Sequence, residues 1–429
     1  MQRTVIKDIK DSLGKEIVLC GFVQTIRDQG SIKFIQLRDI TGLVQVVVFK
    51  SSDAFVITKD LSIESVVKVV GKPKEEKQAP GGIEVAADKI EILSNADPDL
   101  PIPVVFEKGG EDADITKRLD WRWIDLRKPK NLQIFKLWTA LEKGFRSYVN
   151  ENDYVFVYSP SFMSAPSESG ADVFEAKYFE RKAYLAQSPQ FYKQMAMASG
   201  FEKVFMTGPV FRAEKSFTTR HMTEFTGWDF EISYIESHND VMDEEERMLI
   251  AAFTKVKEDL DLDLDIPTAP FPRITMAKAK EMLAKKNIKS EKEHDLSPEE
   301  ERVLWELIKK EHNHDFVFVT DWHKSVRPFY HIRYEDNPDI TKSFDLLYKG
   351  LEITTGAQRE HRYEILKVQA EEKGLDIKEL SGYLNFFKYG CPPHGGAGIG
   401  PGRIVMQMLE LDSVKEATFL PRDVKRLTP

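Results

Sequence analysis

Apolar and polar residues alternate over five short runs in the first hundred residues, and turn residues separate the runs. The alternating segments are EIVLCGFVQTIRD, IKFIQLRD, LVQVVVF, SVVKVVGKP and GIEVAADKIEIL. This pattern predicts five β-strands, with a short helix in SSDAFVITKDLSIES between the third and the fourth. Three strands, a helix and two strands favour a small Greek-key barrel of the OB type, a fold that commonly holds oligonucleotides. A generic small β domain is the alternative.

The remainder of the chain mixes strands and helices without a regular repeat. Helices are predicted in residues 132–150, where apolar residues recur at helical spacing, and in HNDVMDEEERMLIAAFTKVKEDL. Strands are predicted in YVFVYSP, KAYLAQS, KVFMTGPVFRAE and TGWDFEISYI. Because no regular βαβ units occur, the pattern favours an α+β domain with an antiparallel sheet over a doubly wound parallel one. A charge-rich helical insertion is expected at about 275–310.

Three prolines, Pro98, Pro101 and Pro103, predict an extended connector after the barrel. We therefore expect a barrel in residues 1–100, a linker or hinge in 101–130 and an α+β domain with flanking helices in 131–429. The hinge sequence ITKRLDWRWIDLRKPKN is rich in basic residues and carries two tryptophans. It is compatible with a contact to a phosphate backbone and equally with a solvated basic turn.

Composition narrows the classes of protein that fit. The 61 basic and 70 acidic residues among 429 give a net charge of −9, which argues against indiscriminate binding to polyanions. Two cysteines, Cys20 and Cys391, cannot build a disulfide framework or a four-ligand zinc site by themselves. No run approaches the roughly 18 apolar residues of a membrane span. We expect a soluble, cytoplasmic protein without a membrane partner.

The first group of residues with candidate chemistry lies between two predicted strands. Arg212 ends one strand, and a polar loop with Arg220 and His221 follows it. A planar guanidinium binds phosphate oxygens in a bidentate manner, so this segment can grip a triphosphate. A surface hairpin with ion pairs is the alternative.

The second group is the glycine-rich run GGAGIGPGR, which ends at Arg403. Glycines let a backbone approach a ligand closely, and an arginine at a helix start can meet a phosphate. The run matches neither the phosphate-loop pattern nor the dinucleotide fingerprint.

The third group is LEITTGAQR, in which Glu352 and Thr355 stand three residues apart. A carboxylate and a hydroxyl at a strand-to-helix junction supply hard oxygen ligands for Mg²⁺, which usually takes one or two protein groups plus phosphate oxygens and water. A helix cap by Thr355 is the alternative.

Together these three groups resemble the class II aminoacyl-tRNA synthetases of subclass b, and most closely the archaeal-type aspartyl enzymes. The segment around Arg212 resembles motif 2 of that class, Gly400 to Arg403 resembles motif 3, and NDYVFVYSPSF with Pro160 resembles motif 1. The resemblance extends over nearly the whole chain. It implies an OB-fold anticodon-binding domain, a class II catalytic domain, and a homodimer to which motif 1 contributes.

The resemblance also implies a reaction. The α-carboxylate of L-aspartate attacks the α-phosphate of ATP, and the aspartyl group then passes to the terminal ribose of tRNA(Asp). The implied catalytic residues are Arg212 at the α-phosphate and Arg403 at the γ-phosphate, with Mg²⁺ on Glu352 and Thr355. The implied ATP-binding residues are Arg212, Ala213, Glu214, Arg220, His221, Met222, Glu352, Gly400, Pro401, Gly402 and Arg403.

The implied amino-acid pocket is suited to a second carboxylate. Its residues are Glu168, Gln190, Lys193, Arg212, Asp229, Thr355 and Arg359. A buried substrate carboxylate needs cations, which Arg359 and Lys193 supply, and Asp229 is placed to orient Lys193. An asparaginyl enzyme and a non-catalytic, synthetase-like RNA-binding protein are the alternatives.

The resemblance suggests how the barrel contacts tRNA. Phe34 and Gln45 stand where related enzymes stack on and hydrogen-bond to anticodon bases, although Phe34 could instead face the barrel core. Pro80 stands where a proline is associated with relaxed anticodon reading, whereas its companion Gln24 matches neither known pattern. Charging of tRNA(Asn) as well as tRNA(Asp) is therefore a hypothesis.

Three positions depart from the family pattern. Gly402 replaces an acid before the motif 3 arginine, which puts the rigidity of Arg403 in doubt. Thr355 replaces a serine and keeps its hydroxyl. Asp153 stands in motif 1 where glycine is common.

Overall fold

The chain is represented by a computed structural model that describes residues 2–106, 110–165, 173–290 and 292–429. It divides into two compact units, Met1–Lys128 and Pro129–Pro429. Among the described residues, no helix is both long and apolar enough to cross a membrane.

The first unit contains a closed five-stranded barrel with the strand order β1-β2-β3-β5-β4. The strands are β1 (Ile17–Asp28), β2 (Ile32–Asp39), β3 (Gly42–Phe49), β4 (Val66–Glu75) and β5 (Ile83–Ser94). The short helix α1 (Ala54–Ile57) lies between β3 and β4, and 3₁₀ helices cover Ile6–Ser12 and Pro80–Gly82. The predicted OB-type barrel and its intervening helix are confirmed.

Alternation along the strands determines which side chains fill the barrel. Ile35 and Leu37 of β2 are buried in an apolar core with Leu19, Val46 and Val67. Successive side chains of a strand point to opposite faces. Phe34 is accordingly only half-buried and is not part of that core. The alternative of a core phenylalanine is therefore wrong.

A cluster of ion pairs occupies the predicted hinge. Two short helices, α2 (Ile115–Asp120) and α3 (Arg122–Asp125), are followed by Lys128. The buried carboxylate of Asp125 forms ion pairs with Arg118 Nε at 3.1 Å, Arg122 Nη1 at 2.7 Å and Lys128 Nζ at 2.9 Å. These three basic residues therefore neutralise a buried charge and do not form a solvated basic turn.

The second unit contains the remaining described elements. Its strands are β6 (Val155–Phe156), β7 (Phe162–Met163), β8 (Glu175–Tyr178), β9 (Arg181–Leu185), β10 (Lys203–Phe211), β11 (Glu224–Ser233), β12 (Arg273–Thr275), β13 (Phe316–Thr320), β14 (Ser343–Tyr348), β15 (Leu351–Gln358) and β16 (His394–Ile399). Its α-helices are α4 (Pro129–Glu151), α5 (Gln190–Ala198), α6 (His238–Asp259), α7 (Met276–Lys285), α8 (Pro298–His312), α9 (Tyr363–Glu372), α10 (Ser381–Lys388) and α11 (Pro401–Met408), and a 3₁₀ helix covers Lys324–Val326.

Eight strands of this unit form one sheet with the order β12-β13-β14-β15-β16-β11-β10-β6. All neighbouring pairs are antiparallel except β12 with β13 and β10 with β6, the pairs at the two edges. Strands β7, β9 and β8 form a separate small sheet. The predicted α+β class with an antiparallel sheet is confirmed, and the two parallel edge pairs are an addition to it.

Helices α4 and α6 pack closely against each other and cover one face of the large sheet. A Cβ at Gly144 of α4 would lie 2.5 Å from Ala252 Cα of α6, so only glycine permits this approach. Trp228 of β11 lies in the same core, and its ring centroid is 4.5 Å from that of Phe145. The opposite face of the central strands is left for polar side chains.

The expected insertion at about 275–310 contains helices α7 and α8. Their apolar residues Leu283 and Leu304 are buried with Val317 and Val319 of β13. The insertion is therefore packed onto the edge of the sheet through its own small core.

Candidate active site

Polar side chains from adjacent strands form one row across the open face of the sheet. Asp345 of β14 pairs with Thr355 of β15, Thr355 with Gly398 of β16, and Gly398 with Asp229 of β11. The neighbouring residues Trp228 and Ile399 belong to the core on the other face. Because side chains alternate along a strand, the polar row shares one face.

The glycines of β16 make room for two carboxylates. A Cβ at Gly396 would lie 2.2 Å from Glu231 Oε2, and one at Gly398 would lie 3.1 Å from Asp229 Oδ1. The glycine-rich run therefore lets acidic side chains from β11 lie flat against its backbone. Gly396 and Gly398 thus accommodate the carboxylates that surround Lys193, a role that the sequence did not suggest.

Glu352 and Thr355 lie together, but not at a strand-to-helix junction as expected. Both are within β15, and Thr355 caps no helix. Residues three apart on a regular strand face opposite sides. The pairing with β14 shifts between Thr354 and Glu352, which marks a bulge at Ile353. The bulge returns both side chains to one face, with Thr355 Oγ1 at 3.3 Å from Glu352 Oε1.

A cavity of about 670 Å³ opens over this row and is lined by residues from all three sequence groups. The predicted site residues that line it are Gln190, Arg212, Glu214, Arg220, His221, Met222, Asp229, Glu352, Thr355, Arg359, Gly400, Gly402 and Arg403. Lys193, Ala213 and Pro401 do not line it, although Lys193 contacts Asp229, which does. Glu168 lies outside the described residues.

Two buried cations and two buried carboxylates form a cluster that we call the floor of the cavity. Arg359 and Asp229 line the cavity, whereas Lys193 and Glu231 pair with these two residues without lining it. Lys193 Nζ lies 2.8 Å from Asp229 Oδ1 and 3.4 Å from Glu231 Oε2, and it donates to the carbonyl of Ala397 at 3.2 Å. Arg359 Nε donates to Glu231 Oε1 at 2.9 Å. Burial would raise the pKa of Glu231, but the charges of Arg359 and Lys193 outweigh it and the pKa lies below its usual value.

Arg359 is held on several sides. Besides Glu231, it donates from Nη2 to the carbonyl of Gly396 at 2.7 Å and from Nη1 to His331 Nε2 at 2.9 Å. Burial and the adjacent guanidinium lower the pKa of His331 well below its usual value, so the imidazole is neutral and accepts this bond. A guanidinium has five N–H donors, and one donor on Nη1 has no partner among the described residues.

Glu231 and His331 were not identified from the sequence. The position of Glu231, two residues after Asp229 on one strand, signals a shared face. His331 lies in an irregular segment, and nothing in its local sequence indicates contact with Arg359. Gln190 lines the cavity as expected, and its buried Nε2 has no hydrogen-bond partner within the described part of the chain.

Arginines surround the other end of the cavity. Arg212 follows directly after β10, and within the described residues no carboxylate pairs with its side chain. Arg403, in the first turn of α11, donates from Nη1 to the carbonyl of Glu352 at 2.7 Å. This contact holds Arg403 without the acid that Gly402 replaces. Burial and the charges of Arg403 and Arg220 lower the pKa of His221 to about 4, so His221 is neutral at pH 7.

Arg220 is paired with an acid from the insertion. Its Nη1 and Nη2 lie 2.6 and 3.2 Å from the two carboxylate oxygens of Glu301 in α8. Burial raises the pKa of Glu301 to about 7 despite this pairing.

The residues expected to bind Mg²⁺ offer hard oxygen atoms. Among the described residues, no group of three or more His, Cys, Asp or Glu side chains is arranged as a metal site. Mg²⁺ commonly uses one or two carboxylates together with phosphate oxygens and water, which fits Glu352 and Thr355. Asp345, paired with Thr355 across the strands, has a buried Oδ1 without a hydrogen-bond partner in the described chain, and it is a third oxygen source that the sequence did not suggest.

The proposed anticodon residues lie on the outer face of the barrel. The guanidinium of Arg27 lies 5.7 Å from the ring centroid of Phe34 and donates to Gln45 Oε1 at 3.4 Å. Gln45 is buried and donates to Glu84 Oε2 at 3.1 Å. Pro80 is exposed in the turn before β5, and Gln24 Oε1 accepts a bond from Arg38. Phe34 is therefore the more accessible of the two predicted base contacts.

Motif 1 ends in an exposed segment. Asp153 has a φ of 61°, a left-handed conformation that glycine adopts freely and that aspartate tolerates better than most residues. This explains why glycine is common at that position. Pro160 is exposed, and large exposed aromatic side chains surround its segment, namely Tyr158, Phe162, Tyr178 and Phe179.

The fold and the cavity define a class II catalytic domain joined to an OB barrel. Residues 114–424 match the protein family described as tRNA synthetases class II (D, K and N), and residues 17–93 match the OB-fold nucleic acid binding domain. The chain belongs to the class II tRNA synthetases.

Full-length relatives place the chain more narrowly. It is 45% identical to the aspartate–tRNA(Asp/Asn) ligase of Aeropyrum pernix, over 98% of this chain and 97% of that one. It is 43% identical to the aspartate–tRNA(Asp) ligase of Picrophilus torridus, over 100% of both chains. Among solved structures, it matches asparaginyl-tRNA synthetase from Pyrococcus horikoshii complexed with asparaginyl-adenylate, with a TM-score of 0.91, 33% identity and 100% of both chains covered.

Proposed function

We propose that this protein is an aspartate–tRNA ligase, which activates L-aspartate with ATP and transfers it to tRNA. Its full-length relatives carry that activity in their names. The observation that carries the choice of amino acid is a pair of buried cations: Arg359, which lines the cavity, and Lys193, which pairs with the cavity residue Asp229. A guanidinium with a donor left over suits a side-chain carboxylate through charge-assisted hydrogen bonds.

Asparagine fits this floor less well. Its neutral amide brings no charge to Arg359, and only its oxygen can accept from a cation, whereas both oxygens of a carboxylate can. Burying a substrate carboxylate beside Arg359 adds an attraction that an amide lacks, and a site of fixed charges discriminates strongly against an uncharged isostere. The non-catalytic alternative has less support, because Arg212, Glu352 and Arg403 line a single cavity.

In the proposed reaction, the α-carboxylate oxygen of aspartate attacks the α-phosphorus of ATP and pyrophosphate leaves. The protein contributes position and charge rather than a nucleophile. Arg212 neutralises the charge that develops at the α-phosphate, and Arg403 binds at the γ-phosphate. When bound, Mg²⁺ on Glu352 and Thr355 would neutralise phosphate charge.

The decisive test is pyrophosphate exchange with the purified protein, with aspartate and asparagine as parallel substrates. We expect exchange that depends on aspartate and little with asparagine. Absence of aspartate-dependent exchange would overturn the proposal, and preference for asparagine would make the asparaginyl alternative correct.

The range of tRNA substrates is a separate part of the proposal. Exposed Pro80 and half-buried Phe34 support a barrel that reads the anticodon, and base stacking on an aromatic is worth about 1–3 kcal/mol. We propose tRNA(Asp) as a substrate, and tRNA(Asn) as a second one. Aminoacylation of the two transcripts side by side tests this, since failure to charge the second restricts the enzyme to tRNA(Asp).

We further propose a homodimer that uses the segment around Pro160. Its exposed aromatic residues, Tyr158 and Phe179 among them, form the kind of apolar surface that marks an interface. Light scattering should give a mass of about twice the 49.3 kDa of one chain. Replacement of Tyr158 by Asp should lower the measured mass toward that of one chain. A mass of one chain for the original protein would contradict the dimer. The cytoplasmic location stays a prediction.

A further inference from the structure

An acid outside the three sequence motifs pairs with an arginine at the end of the cavity that we propose for ATP. Glu301, in the first turn of α8, binds both Nη atoms of Arg220 with both carboxylate oxygens. The side chain of Glu301 is 5% exposed and that of Arg220 is 18% exposed. The pair is therefore largely shielded from water, where such contacts are stronger than at the surface.

Helix α8 is a fixed support, whereas Arg220 lies in a loop. Ser297 and Glu300 form a capping box at the start of the helix, and Lys280 of α7 pairs with Glu300 at 2.8 Å. A Cβ at Gly350, in the turn between β14 and β15, would lie 2.9 Å from Arg302 Cα. The helix thus packs directly on the hairpin that carries Glu352. Arg220 lies between β10 and β11, in residues without regular structure.

We infer that Glu301 is a positioning residue for ATP, which holds Arg220 so that its remaining N–H donors face the triphosphate. The inference rests on the proposed function. Two of the five guanidinium donors are used by Glu301, which leaves three for phosphate oxygens. A bidentate contact fixes both the position and the plane of the guanidinium.

The charges around the loop are a second reason to assign Glu301 the role of holding Arg220. Arg212, Arg220, Arg403 and the carboxylate of Glu352 all act on His221, so three cations and one acid share this end of the cavity before ATP arrives. Glu352 lies 3.4 Å from Arg403, and Glu301 is the acid that pairs with Arg220 and limits the remaining repulsion. Without it, Arg220 has no described carboxylate partner and is free to turn away from the cavity.

The test compares Glu301→Gln with Glu299→Gln, a matched substitution at an exposed position in the same helical turn. Pyrophosphate exchange is measured with ATP varied at saturating aspartate, and then with aspartate varied at saturating ATP. We expect Glu301→Gln to raise KM for ATP about 10- to 100-fold, as for loss of a hydrogen bond between charged groups. KM for aspartate should stay unchanged, and Glu299→Gln should match the original protein in both.

A double-mutant cycle keeps the inference testable if Glu301→Gln lowers stability. Arg220→Gln should raise KM for ATP, and adding Glu301→Gln to it should cause little further increase, because the partner is already gone. Glu301→Asp, which keeps the charge, should recover part of the ATP affinity.

The outcomes separate this inference from the proposed function. If the original protein shows no aspartate-dependent exchange, the proposed function fails. If exchange is present and Glu301→Gln leaves KM for ATP unchanged, or raises both KM values alike, Glu301 is not a positioning residue for ATP. Additive effects in the double-mutant cycle would lead to the same conclusion.

Discussion

Arg359 and Glu231 form an ion pair at the floor of the cavity, with Arg359 Nε 2.9 Å from Glu231 Oε1 and both side chains at most 3% exposed. The same carboxylate lies 3.4 Å from Lys193 Nζ. Glu231 is therefore the shared counter-charge of the two cations that we propose for the substrate carboxylate.

Replacement of Glu231 by Gln should destabilise the protein strongly. After this substitution, Asp229 is the remaining carboxylate of the cluster, and it has to balance the buried charges of both Lys193 and Arg359. Removing one partner of a buried ion pair typically lowers the free energy of unfolding by about 3–5 kcal/mol. Urea denaturation of this variant beside the exposed control Glu202→Gln measures the effect, and equal stability of the two variants would contradict it.

Replacement of Lys193 by Leu should weaken the use of aspartate. Asp229 and Glu231 would then face one cation instead of two and would repel a substrate carboxylate. Loss of one partner of a buried charge pair costs about 2–5 kcal/mol, which corresponds to a fall in kcat/KM for aspartate of roughly 30- to 4,000-fold. Exchange kinetics with aspartate varied measure this. Lys286→Leu, at an exposed position, serves as the control and should leave kcat/KM unchanged.

Replacement of Arg212 by Ala should reduce adenylate formation to a small residual rate while tRNA binding persists. Removal of one group that stabilises developing charge typically lowers kcat by about 10²- to 10³-fold. Pyrophosphate exchange measures the first effect, and filter binding of tRNA(Asp) measures the second. An exchange rate close to that of the original protein would exclude Arg212 from the reaction.

Replacement of Glu245 by Gln should change how stability depends on pH. Burial on α6 raises the pKa of Glu245 from 4.5 to about 8; the Thr354 hydroxyl opposes this shift, and the carboxylates of Glu246 and Asp345 add to it. Between these values the unfolded chain loses the proton and the folded protein keeps it, so the free energy of unfolding falls as pH rises.

A glutamine side chain cannot ionise, so the free energy of unfolding of the variant does not fall in this way as pH rises. The stability of Glu245→Gln relative to the original protein should therefore increase between pH 5 and pH 8 by up to a few kcal/mol, at about 1.4 kcal/mol for each pKa unit. Thermal unfolding at both pH values measures it, with Glu258→Gln, exposed on the same helix, as the control. A difference that does not vary with pH would contradict the raised pKa.

Local patterns were sufficient for much of the fold. The period-two alternation in KFIQLRD follows from the barrel itself, because Ile35 and Leu37 must be buried while their neighbours face outward. The face of Phe34 was open in the sequence, because Phe34, Ile35 and Leu37 put three apolar residues within four positions, and it follows only once Ile35 and Leu37 are known to fill the barrel.

Much of the candidate site could also be predicted. The arginines that line the end of the cavity proposed for the phosphates, Arg212 and Arg403 among them, belong to short segments whose chemistry is visible in the chain. The insertion contributed an unexpected residue, since Glu301 lies 81 positions from Arg220. A surface-like run such as PEEERVLWEL shows no sign of which acid will be buried against an arginine.

Residue types and their order along the chain identified the strands of the barrel, the three polar groups and the family to which they belong. The three-dimensional packing determined which polar groups neutralise each other. Glu231 pairs with Arg359 because β11, β16 and β15 are neighbours in the sheet. Glu352 contacts Thr355 because a bulge in β15 shifts its register against β14. Both arrangements depend on contacts between distant segments, whereas alternation and motif spacing report only on residues that are close in the chain.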